Sequence, residues 1–209
     1  MKPYLLASAA AICLSACAGT KVTNTVIAAG ATSPKAMFIR PFSIADGAFS
    51  GSHGGKANKT IRQSQAPAEF ANILKEELEK LAPTTVLADD EDANSGWLVD
   101  GAIELVDAGC APARAIAGGL GIGRSGILLH VKVTEVGSTR HSDEKGGTGP
   151  VVYEFDVAGG SRIMGINGTI NSAGFGYAAP FDMRNAAERI RQTLEVDGHR
   201  YGYRETARN

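Results

Sequence analysis

The chain has 209 residues, 44% hydrophobic, 21% charged and 6% aromatic, and its 21 basic and 22 acidic side chains leave a net charge of −1. That length fits one compact domain, and the balanced charge excludes a strongly basic nucleic-acid binder and an acidic disordered tail alike. Glycine is the outlier, at 26 positions where the usual share of about 7% would give far fewer.

At the N-terminus, Met1-Lys2 supplies positive charge, Tyr4 to Leu14 is apolar except at Ser8, and the small residues Ser15-Ala16 precede Cys17. A charged start, a short apolar run and small residues make an export signal. A run of about 11 apolar residues is too short to span a bilayer, which takes about 20. Leu14-Ser15-Ala16-Cys17 resembles the lipobox of bacterial lipoproteins. The resemblance implies removal of residues 1–16, a diacylglycerol and a further chain such as palmitate on Cys17, and an anchor in the cell envelope. Several buried acyl chains hold a protein firmly where one holds it marginally. Ala18 instead of Asp implies the outer membrane, with the protein facing the periplasm. Cys13 leaves with the signal and Cys17 is acylated, so Cys110 remains alone, and a lone thiol closes no internal disulfide.

Residues 17–33 are mostly small and polar, without a sustained period, and are expected to form a lipidated tether; the folded domain is expected over 34–205. Lys35 to Ile44 is the first strand candidate, and Pro41 predicts an edge strand or a strand that ends there. Residues 45–64, with Gly47, Gly51, Gly54 and Gly55, read as a long loop carrying a solvated His53. Pro67 suits a first helical position and Glu69 suits the positive helix end. Phe70, Ile73, Leu74, Leu78 and Leu81 then recur on one face, Glu76 and Lys80 are spaced to pair, and Pro83 stops the helix. Thr84 to Leu87 can form a short strand.

Three alternating strands follow. Trp97, Val99, Ile103 and Leu105 face one side, as do Ile127, Leu129, Val131 and Val133, and then Val151, Tyr153, Phe155 and Val157. Their partners on the other side include Asp100, His130, Lys132, Glu154 and Asp156, so each strand is expected to be half-buried, with His130 on the polar face. Residues 137–149 read as a polar hairpin loop. Its His141-Ser142-Asp143 cannot make a catalytic relay, because such a relay is assembled from separate elements. Residues 159–180 are glycine-rich and partly apolar. The last helix is expected from about Met183, with Asp182 as N-cap, Ala186, Ala187, Ile190 and Leu194 inward, and Gly198 just past its end. The expected fold is α/β of the α+β kind: a single domain with a mixed, mostly antiparallel sheet and two helices packed on one face.

One segment invites a functional reading. Residues 121–126 match G-x-G-x-x-G, but the glycines lead into a strand and not into a helix, which excludes a dinucleotide site. Gly119, Gly121 and Gly123 permit close backbone approach, and Arg114 and Arg124 add two guanidinium groups, so the loop 108–126 is the candidate binding site for an anion or a partner's carboxylate. A plain structural crossover with two solvated arginines is the competing account. The stretch from Trp97 to Val136 also resembles DUF4410, a family of unknown function found in bacterial lipoproteins. It does so through Asp107, Gly109, Arg114, Gly119, Gly121, Gly123, Arg124 and Ser125, and the likeness extends from Lys35 to about Tyr203. Cys110-Ala111-Pro112 and Leu120 depart from the family's pattern. The family implies no activity, cofactor or metal. The expected function is therefore a non-enzymatic, membrane-anchored envelope lipoprotein that binds or positions another envelope component, with an envelope protein as the expected partner. A periplasmic anion-binding module using Arg114 and Arg124 is the alternative, and a hydrolase finds no support in the histidine spacing.

Overall fold

A computed structural model describes residues 20–28, 34–50, 56–88, 90–107, 125–137, 149–160 and 179–200. Ten elements follow one another: β1 (Lys21–Ile27), β2 (Met37–Ile39), β3 (Ser43–Ile44), β4 (Phe49–Ser50), α1 (Lys56–Leu78), β5 (Thr84–Val86), β6 (Gly96–Asp107), β7 (Gly126–Val136), β8 (Val151–Gly160) and α2 (Ala179–Arg200). The strands form one open sheet in the order β1-β8-β7-β6-β2-β5, and β3 and β4 also pair with β6. The long pairs β6–β7, β7–β8 and β1–β8 are antiparallel, and the short strands β2 to β5 add parallel pairs. This is the α+β architecture expected from the sequence, a mixed and mostly antiparallel sheet with both helices on one face.

The core forms where helix stripes meet strand alternation. Phe70, Leu74 and Leu78 of α1 and Met183, Ala186, Ala187, Ile190 and Leu194 of α2 are buried with Trp97, Val99, Ile103, Leu129, Val131, Val133, Phe155 and Val157. Two edge-on ring pairs lock this layer: Phe42 with Phe70 at 5.1 Å between centroids, and Trp97 with Tyr153 at 5.4 Å, geometry favoured by ring quadrupoles. A Cβ at Gly101 would lie 2.0 Å from the His130 carbonyl oxygen and 2.8 Å from the Phe42 ring, so glycine is what lets β6 approach β7 and Phe42 there. Gly96, at a φ of 134°, lets Trp97 N–H reach the Ala36 carbonyl, a conformation open essentially only to glycine.

The chain departs from the sequence expectations in several places. Pro41 does end a strand, but β2 lies between β5 and β6 and is no edge. Within the segment read as a tether, Lys21–Ile27 pairs with β8 as the sheet's edge strand; its mostly polar, exposed residues give no period because only Val22 and Ile27 pack on the core. Within the expected loop 45–64, Ala48 and Phe49 are buried. The first helix begins at Lys56 and Pro67 sits inside it. Its early turns are polar and Ile61 is 52% exposed, so no apolar stripe marks them. Lys80 pairs with Glu77 at 2.6 Å, and Lys75 with Glu79, in place of the expected Glu76–Lys80 pair.

In β6, Glu104 is an extra residue opposite β7, so the ladder steps from Ile103↔Leu129 to Leu105↔Leu128. That bulge turns Leu105 outward, to 37% exposed, and puts Val106 in the core, as one inserted residue reverses the pleat. The last helix starts at Ala179, placing Asp182 in its first turn and not at the cap, and it runs through Gly198 to Arg200. A capping residue type says which side chain can satisfy a free N–H, not whether the chain before it is already helical.

Candidate functional site

The face of the sheet away from the helices carries the polar half of each alternation. Cross-strand register places Asp100 beside Lys132 and Lys132 beside Glu154, and in the next row Ala102, His130 and Asp156 are neighbours. Neighbours at such spacing interact directly. The edge strand β1 completes the rows, with Thr23 opposite Asp156 and Val26 opposite Glu154. Between them a bulge holds Asn24 at a φ of 54°, a left-handed conformation that Asn tolerates better than most residues.

His130 is the centre of this arrangement. Its Nδ1 lies 2.8 Å from Asp156 Oδ1 and its Nε2 lies 3.3 Å from Glu154 Oε1. A neutral imidazole has one N–H, so serving both carboxylates requires the doubly protonated ring. The hydrogen bond to Asp156 raises the His130 pKa above its ordinary value, with further help from the charges of Asp156, Glu154 and Glu104 and against the cost of burial. Asp156 is held below the ordinary carboxylate range, first by the bond from His130 and then by Asn24 Nδ2, which donates to its Oδ2 at 2.6 Å. Asp100 moves the other way: its burial raises its pKa, and the nearby Lys132, Arg40 and His130 only partly offset this. Arg40 reaches Asp92 at 3.7 Å at the rim of the face.

The geometry is that of a mutually satisfied ion cluster. A histidine relay presents Nε2 to a nucleophile, whereas here Nε2 meets Glu154. The Ser43 hydroxyl, on the same side of β6, donates to the Gly101 carbonyl at 3.2 Å. Among the described residues, no group of three or more His, Cys, Asp or Glu side chains is placed to hold a metal ion. The face can therefore present a patterned, partly exposed set of charges to another surface, and it changes charge when His130 titrates.

The candidate site residues Arg114, Gly119, Gly121, Gly123 and Arg124 lie outside the described residues, as do Cys17, Cys110, His53 and His141. The described flanks of that loop, Asp107 and Gly126, are paired at one end of the sheet, and Ser125 is buried there. His130 does stand on the polar face of β7 as its alternation predicts. Its partners were not legible in the same way: Asp156 and Glu154 are on polar positions of another strand, and Asn24 lies in the stretch read as a tether.

No protein-family model matches the chain, and no curated protein matches it. Among solved structures, the PelC dodecamer from Paraburkholderia phytofirmans aligns at 10% sequence identity with a TM-score of 0.43, covering 82% of this chain and 97% of that one. A single-substitution variant of that dodecamer aligns over the same shares, at 10% identity and a TM-score of 0.42. Likenesses this distant carry no argument about activity or assembly.

Proposed function

We propose that the chain is a lipid-anchored domain of the bacterial cell envelope, held at the outer membrane through Cys17, facing the periplasm, and acting by contact with another envelope component and not by catalysis. The observation that carries this is Leu14-Ser15-Ala16-Cys17 at the end of a short apolar run. No helix among the described residues is long and apolar enough to cross a membrane; on this reading acyl chains on Cys17 do the anchoring. The ion cluster around His130 supports the contact role, because both ring nitrogens are committed to carboxylates. On the same reading the chain joins the DUF4410-like lipoprotein domains.

The test is made in the bacterium that produces the protein. The full chain should take up labelled fatty acid and fractionate with the envelope, while Cys17→Ser should remain precursor-sized and unlabelled. A Cys17→Ser protein that matures and stays in the membrane fraction would overturn the proposal. Cross-linking from the detergent-solubilised envelope should then recover a defined envelope protein.

A further inference from the structure

The strand pairing gathers several chain passages at one end of the sheet. Asp107 of β6 pairs with Gly126 of β7 and with Ser50 of β4, and Gly126 pairs with Gly160 of β8. Lys21 of β1 pairs with Ala158, and the empty Cβ position of Gly159 is 3.1 Å from the Thr20 hydroxyl. The described chain therefore enters the sheet at the Asp107 end, only three residues after Cys17. Three extended residues span at most roughly 11 Å. The opposite end, where Met37 N–H meets the Pro83 carbonyl and Trp97 follows Gly96, is farther by the length of β7, about 36 Å for 11 residues at about 3.3 Å each.

We propose that the domain stands on the bilayer by the Asp107 end of its sheet, with Thr20, Ser50 and Gly159 nearest the phospholipid headgroups and the Trp97 end directed away. This inference rests on acylation of Cys17. It makes the membrane a second interaction surface, distinct from the open polar face, and it leaves that face standing upright beside the bilayer.

The test uses the full acylated protein with Cys110→Ala, reconstituted into vesicles of phosphatidylethanolamine and phosphatidylglycerol, and one fluorescent label on an introduced cysteine. Ser50→Cys reports the Asp107 end well away from the anchored strand. Lys80→Cys, in the turn after α1, reports the other end, and Lys59→Cys in the first turn of α1 replaces Ser50→Cys should that variant not fold. Quenching by headgroup-labelled lipid should be several-fold stronger at Ser50→Cys than at Lys80→Cys. Equal quenching, or stronger quenching at Lys80→Cys, with protein still bound to vesicles overturns the orientation alone. Protein that lacks the acyl mass and fails to sediment with vesicles overturns the anchor and the orientation together.

Discussion

On the helix-covered face of the sheet, Trp97, Val99, Leu129, Val131, Phe155 and Val157 are buried against two helices, whereas on the other face His130, Glu154, Asp156 and Lys132 are partly open to water. The same strands supply both rows, one residue apart. Burial on the first face scales with apolar area, is not screened by counterions and involves no titrating group. The second face is held by charge pairs that solvent weakens and protons can switch. The contrast shows where stability and responsiveness reside in this fold: the covered face holds the sheet together, and the open face can change its charge without melting the core.

The largest effects should come from the covered face. Trp97→Ala removes a ring that is 2% exposed and packed edge-on to Tyr153, and should cost about 3–5 kcal/mol in chemical denaturation. Gly101→Ala forces a Cβ against the His130 backbone and the Phe42 ring and should cost about 1–3 kcal/mol; a neutral result would mean that β6 can shift away from β7. Between the helices, Arg191 Nε lies 3.2 Å from Glu77 Oε2, and both side chains are mostly buried. Arg191→Ala should therefore cost about 1–2 kcal/mol, less than the ring and more than any change on the open face.

The open face should respond to pH more than to truncation. Asp156→Ala should cost only about 0.5–1 kcal/mol near neutrality, but it should lower the His130 pKa toward the ordinary histidine value, which an NMR titration of the ring reads directly. The pair's contribution has two limits. His130, raised when folded, contributes fully below the ordinary histidine pKa, and that contribution is lost as pH rises through the folded value. Asp156, lowered when folded, contributes fully above the ordinary carboxylate pKa, and that is lost as pH falls through its lower folded value. The cluster is therefore strongest at mildly acidic pH. Asp100 opposes this at the acid end, since its raised pKa makes protonation relieve a burial cost. A stability profile that is flat from mildly acidic to alkaline pH would show that the His130 cluster contributes nothing.

The sequence alone determined the parts that repeat locally. The stripes Phe70–Leu74–Leu78 and Ala186–Ile190–Leu194 and the unbroken alternation of Ile127 to Val133 marked both helices and β7, because a period of 3.6 or 2 is a property of neighbouring positions. Tertiary structure decided what depends on distant partners. The polar strand β1 is a strand because β8 is there to pair with it, and the bulge at Glu104 exists only relative to β7. The setting of His130 is of this kind as well: Asp156 lies 26 positions from it in the chain, and Asn24 lies 132 positions from Asp156. No local pattern records such a meeting, because the side chains become neighbours only when the strands align in register and a bulge aims Asn24 across the edge.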